Sequence, residues 1–187
     1  MKKRPYHTIT AGSLLLAEPF MLDINFRRGV VLLCNHNEEG TLGFVLNKPI
    51  EMNITDLITT FPAFKSEVYY GGPLQTDTIH YLHDKGELLD DAIEVLPNLY
   101  WGGDFDQLKE AIEAQLILPE DIRFYVGFAG WESGQLQAEQ EQASWLTVPA
   151  QVKDVLNDNW NTLWKDILIE DGGTYEAIGR MDSPFFN

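Results

Sequence analysis

Three groups of residues in this chain have side chains and spacings that could carry chemistry. Cys34 and His36 stand two apart at the end of an apolar run, so a continuing strand would project both from one face. A thiol activated by a neighbouring imidazole is the nucleophile of an acyl or phosphoryl hydrolase. That role needs a depressed thiol pKa, whereas a cysteine closing an apolar strand is ordinarily an inert core residue. His36 itself falls within Asn35-His36-Asn37-Glu38-Glu39-Gly40, which reads as a polar turn.

The second group is Trp131, Gln135 and Glu139. Gln135 and Glu139 are i and i+4 on an expected helix and share a face near its N-terminus, with Trp131 on the preceding glycine turn. Such a face can grip a polar ligand, with Glu139 a further candidate base. Equally, Gln135 can satisfy turn backbone, Glu139 can favour the positive helix end, and Trp131 can fill core. The third group is built of backbone. Gly71-Gly72-Pro73, Asn47-Lys48-Pro49 and the Gly127 to Gly134 segment, including Gly130, would line an anion-binding concavity if a curved sheet gathered them. Arg27, Arg28 or Arg123 could add a bidentate contact to carboxylate or phosphate. Against this stands the plainer role of such residues as sheet turns and surface charge. His80 and His83, three apart on a strand, face opposite ways and cannot chelate one metal, so neither a metal nor a cofactor is expected.

These groups need elements to position them. Arg123 to Phe128 alternates as a strand, with Phe124, Val126 and Phe128 expected on one face. Gly127, Gly130 and Gly134 then predict a turn containing Trp131, and Gln135 to Trp145, free of Gly and Pro, predicts a helix. Upstream, Gly12 to Ala17 reads as a buried strand, followed by an irregular link from Glu18-Pro19. Arg28 to Cys34 and Thr41 to Leu46 form a hairpin that Asn47-Lys48-Pro49 closes, and Asn53 caps a short helix. Strands are expected at Val68 to Tyr70, Thr78 to His83, Ala92 to Leu96 and Leu99 to Trp101. Asp104 and Gln107 form a capping-box pattern for a helix burying Phe105, Leu108, Ala111 and Ile112. Trp160, Leu163, Trp164, Ile167 and Leu168 recur at helical spacing, and the tail from Gly172-Gly173 through Phe185-Phe186 is poorly patterned. Antiparallel-type strands with interspersed helices, without βαβ alternation, point to one α+β domain over 1–187.

Composition narrows the function classes. The 187 residues suit one core, and 44% apolar with 22% charged residues is ordinary for a globular protein. Thirteen basic against 29 acidic residues give a net charge of −16, which disfavours nucleic acid and anionic membranes as partners. Behind Lys2-Lys3-Arg4, the apolar run Leu14 to Ala17 is too short for a signal core or a bilayer span, so the protein is expected in the cytoplasm. A single cysteine fits a reducing compartment.

The blocks LLLAEPFMLDINFRRGVVLLCNHNEEGTLGFVLNKP, YYGGPL, HYLH and GFAGWESGQLQAEQEQASW, in that order, resemble the YqgE/AlgH family of bacterial proteins over nearly the whole chain. The resemblance implies an α+β fold whose mostly antiparallel, bifurcated and strongly curved sheet approaches a pseudo-barrel with a few packed helices. It carries over no catalytic residue. Family members are often designated transcriptional regulators, a role that here finds no helix-turn-helix pattern or basic face. The expectation is a non-catalytic cytoplasmic module, with a regulatory role, that binds a small anionic or polar ligand or a protein partner at the glycine-turn cleft. A hydrolase using Cys34 and His36, or Glu139, is the alternative.

Overall fold

The eleven-residue strand Ile122–Glu132 is the longest among the described residues and serves two sub-sheets at once. The computed structural model describes residues 8–171 and 176–179. In chain order the elements are β1 (Ser13–Ala17), β2 (Val30–Asn37), β3 (Gly40–Val45), β4 (Pro49–Asn53), α1 (Ile54–Leu57), β5 (Glu67–Tyr70) and β6 (Leu74–His83). They continue with β7 (Ile93–Leu96), β8 (Leu99–Trp101), α2 (Phe105–Glu113), β9 (Ile122–Glu132), α3 (Gln135–Glu141), β10 (Trp145–Pro149), α4 (Val152–Val155), α5 (Leu163–Asp171) and α6 (Glu176–Gly179). The basic N-terminal cluster, His7 and most of the tail from Gly172 lie outside the described residues.

One sheet path runs β10-β1-β2-β3-β9-β6-β8-β7. On one edge of β9 the C-terminal half, Ala129 to Glu132, pairs antiparallel with β3, while Phe124 to Val126 pairs parallel with β5. The sheet therefore forks along a single strand, and its α+β architecture is the curved, bifurcated and mostly antiparallel one expected. β4 joins as the partner of β5.

The fork sits at glycines. Gly71 N–H donates to the Val126 carbonyl, and the Gly71 carbonyl accepts from Val45 N–H, tying the ends of β5 and β3 to β9. Gly127 has φ +66 and any Cβ there would lie 2.6 Å from the Gly72 carbonyl oxygen. A side chain on Gly72, φ +154, would overlap the Phe128 and Ala129 backbone. The left-handed Gly127 changes which way the following residues of β9 face, while the irregularity in its pairing with β6 lies on the β6 side, where Leu74 to Ile79 spans only Phe128 to Val126. Phe124 and Val126 lie in one core, with Tyr81 and Leu108, but Phe128 packs on the opposite side with Tyr125 and His80. The expectation of a single Phe124, Val126, Phe128 face is thus corrected. Gly127 and Gly130 also lie within β9 rather than in a turn, and Trp131 is a strand residue opposite Thr41.

Apolar runs that are continuous in sequence divide between layers. Leu14, Leu16, Val30 and Leu32 face the interior of the curved sheet against α5, whereas Leu15, Ala17, Val31 and Leu33 face outward under α3 and the 18–29 link. Both faces are covered, which is why these strands show no polar alternation. A third core collects Phe61, Phe64, Leu108, Ile112 and Phe124 beneath α1 and α2. Asp104 caps α2 by accepting from Gln107 N–H at 2.9 Å. The Gln107 side chain, however, exchanges two hydrogen bonds with Asp90 instead of closing the expected box.

Two further expectations change. The helix after Gly134 ends at Glu141, and Trp145 opens β10, which pairs with β1. β4 occupies what was read as a simple hairpin closure.

Gly72→Ala should lower unfolding free energy by about 3 kcal/mol or more, through overlap and strain. Gly134→Ala, at φ +76 with open space around it, should cost about 1 kcal/mol. Urea denaturation of the two variants beside the parent checks the contrast.

Candidate functional site

The Trp131, Gln135 and Glu139 side chains do meet, and they recruit a partner that sequence reasoning missed. Glu139 Oε2 accepts from Trp131 Nε1 at 3.0 Å and from Trp145 Nε1 at 2.8 Å. Glu139 Oε1 accepts from Gln135 Nε2 at 2.9 Å, and Gln135 Oε1 accepts from Glu132 N–H. One carboxylate thus holds two buried indoles while its own oxygens are occupied. The two tryptophans come from β9 and β10, which have three strands between them along the sheet, and they share an outer layer with Leu136 of α3. Phe26 completes the cluster, with ring centroids 6.0 Å from Trp131 and 5.5 Å from Trp145. Trp145 was hidden because it was read as the end of a helix. Its signal was the alternation of Trp145 and Thr147 with Leu146 and Val148.

Phe26 belongs to the link between β1 and β2, residues 18–29, and this link is tied down by hydrogen bonds along its length. Its backbone closes on itself through Phe26 and Arg27 N–H to the Asp23 carbonyl and Gly29 N–H to the Phe26 carbonyl. Glu18 N–H reaches the Ser144 carbonyl. Other elements brace it. Lys48 Nζ donates to the Ile24 carbonyl at 2.7 Å, and Tyr70 Oη donates to Asn25 Oδ1 at 2.8 Å. Asn47 donates to the Arg28 carbonyl and accepts from Val30 N–H, each at 2.9 Å. Arg28 lies over the Trp164 ring, 5.3 Å from its centroid, while the Trp164 indole donates to the Ala17 carbonyl. Met21 and Phe26 point inward. Phe20, Leu22 and Ile24 point out, at 63%, 94% and 80% exposure.

The candidates Arg28, Asn47, Lys48, Trp131, Gln135 and Glu139 therefore gather at the root and underside of this loop. Gly71 and Gly72 do not open a cradle. They meet Gly127 backbone to backbone at the fork, and Gly130 lies under Leu74.

Cys34 and His36 part company. The β2–β3 register jumps between Leu33 and Asn35, so Cys34 is the extra residue of a bulge. Cys34 is buried in the inner core, where burial pushes its thiol pKa up. His36 lies on the strand, not in the turn, and on the outer layer. Its Nδ1 is 2.7 Å from Thr41 Oγ1, and Gln137 of α3 approaches its Nε2. His80 and His83 face opposite ways, with burial lowering both pKa values. His83 Nε2 donates to the Gly102 carbonyl and Nδ1 accepts from Lys85 N–H, a neutral tautomer. No group of three or more metal-ligating side chains occurs among the described residues.

With this geometry in view, comparison with known proteins places the chain. The AlgH-like family profile matches residues 14–176. The chain belongs to the AlgH-like family. A UPF0301 protein of Chlorobaculum parvum is 43% identical over 175 residues, 94% of each chain, and one of Chlorobaculum tepidum is 43% identical over 170 residues, 91% of each. Among solved structures, the AlgH protein of Pseudomonas aeruginosa superposes with TM-score 0.73 at 31% identity over 98% of both chains. A Corynebacterium diphtheriae protein shares the fold, with TM-score 0.75 at 24% identity over 89% of this chain and 90% of its own. No described helix is long and apolar enough to cross a membrane.

Glu139→Ala should cost about 2 to 3 kcal/mol, since two buried indole donors lose a charged acceptor. A red shift of tryptophan emission in the native state should accompany it. Cys34 should stay unreactive toward an aromatic disulfide reagent until denaturant is added, then release one equivalent; rapid native reaction would restore it as a nucleophile candidate.

Proposed function

We propose that this family member is a non-catalytic, cytoplasmic binding module that takes a protein partner on the outward side of the 18–29 loop. The observation that carries the reading is that Leu22 and Ile24 stand 94% and 80% exposed on a backbone tied down at both ends and in the middle. Clustered exposed apolar side chains are rare on soluble monomers and mark interaction surfaces. Long links without secondary structure are commonly functional, and a rigid one loses little entropy on docking.

The hydrolase alternative has less support. The Cys34 thiol is buried and separated from His36 by a bulge, and Glu139 is committed to two indoles. Direct DNA binding is disfavoured by the net charge of −16. A regulatory role would then run through the protein partner, whose complementary surface is apolar and faces Phe20, Leu22 and Ile24.

A photo-crosslinking residue placed at Leu22, with a second placed at Leu116, an exposed apolar position outside the loop, as control, tests this in living cells. One discrete adduct from position 22, lost when Ile24→Asp is added, is the expected result. The Ile24→Asp change should leave stability within about 0.5 kcal/mol, because the side chain contributes little to the core. Identical adducts from both positions, or none from position 22, would contradict the reading.

A further inference from the structure

Near the start of β9, at the opposite end of the strand from Trp131, Arg123 carries a buried guanidinium. Its side chain is 9% exposed. Nη1 donates to the Pro119 and Ile122 carbonyls, both at 3.0 Å, and Nη2 donates to the Asn157 carbonyl at 3.1 Å and to Asp158 Oδ1 at 2.8 Å. The carbonyls fix the plane of the guanidinium, but they supply no negative charge. Its counter-ion is Asp158, whose side chain is 99% exposed. A buried cation is thus neutralised by a carboxylate standing wholly in solvent on the segment between α4 and α5. Such a carboxylate gains little from the pairing and is easily exchanged for another.

Beside this pair opens a cleft of 230 Å³ lined also by Lys65, Glu67, Tyr69 and Glu120. Tyr69 lies against the guanidinium. The volume suits a ligand of few atoms. With Asp158 in place the wall holds two cations and three carboxylates. With Asp158 swung away, Arg123 and Lys65 face Glu67 and Glu120, two charges of each sign. A multiply charged phosphate would meet the two glutamates, whereas a molecule bearing one carboxylate and one ammonium would match both pairs.

We propose that this cleft is a site for a small zwitterion of the α-amino-acid class, whose carboxylate replaces Asp158 on Arg123 and whose ammonium lies toward Glu67 and Glu120. Asp158 is then a built-in competitor that keeps the guanidinium neutralised when the site is empty. The site is independent of the 18–29 loop, and either can fail without the other.

The test is a titration of the full-length isotopically labelled protein with L-alanine, acetate, methylammonium and inorganic phosphate, followed by amide and arginine side-chain shifts. L-alanine should perturb Arg123 and Tyr69 and bind more tightly than acetate or methylammonium. Asp158→Ala, an exposed change compatible with folding, should tighten L-alanine binding by about tenfold by removing the competitor. Glu67→Gln should weaken L-alanine while leaving acetate unchanged. Phosphate binding more tightly than L-alanine, no response of Arg123 to any probe in either the parent or Asp158→Ala, or Asp158→Ala leaving L-alanine affinity unchanged would each overturn the proposal.

Discussion

Backbone packed against backbone at Gly71, Gly72 and Gly127 is the constraint on which this molecule depends. No side chain fits between β9 and the segment joining β5 to β6, so the two come close enough for Gly71 to bond both Val126 and Val45. That contact lets one edge of β9 serve two partners in succession. The positive φ at Gly127 then turns the strand's faces over, sending Phe124 into one core and Ala129 and Trp131 into another. Had the strand kept a period of two, Ala129 and Trp131 would share the face of Tyr125, and the two indoles could not meet over Phe26.

From that placement the outer layer follows. Trp131 on β9 and Trp145 on β10 have three strands between them along the sheet path, and a single carboxylate from α3 bridges them. Glu139 is worth more here than a surface charge would be, because the indoles that donate to it are buried. The aromatic floor holds Phe26, and Phe26 holds the 18–29 loop from beneath. Lys48, just before β4, and Tyr70, the last residue of β5, hold it from the side. The fork and the loop are therefore parts of one arrangement, since β4 and β5 are the strands that the fork admits.

Much of this could be read from residue order. Leu14 to Ala17 and Val30 to Cys34 were recognisable as buried strands from their unbroken apolar character, and α2 from the spacing of Phe105, Leu108, Ala111 and Ile112. Gln135 and Glu139 were legible as a pair because i and i+4 neighbours meet on any helix. What escaped were features set by distant contacts. The end of α3 is made by Ala143 at φ +58, a residue that carries no stop signal, so the helix was extended through Trp145. The bulge at Cys34 and the left-handed turn of β9 at Gly127 change side-chain facing, which neighbouring residues do not encode. The exposure of Phe20, Leu22 and Ile24 was equally invisible: alternation names a face but not whether anything covers it.

The central claim is that the 18–29 loop is a rigid platform rather than a slack connection, and backbone ¹⁵N relaxation measures this directly. Order parameters at Phe26, Arg27 and Gly29 near the value of about 0.85 seen for rigid backbone, matching those of β2, are what the hydrogen bonds predict. Values below about 0.6 at these amides, with β2 still rigid, would contradict it, for the apolar side chains would then hang on a mobile tether with no fixed surface to offer.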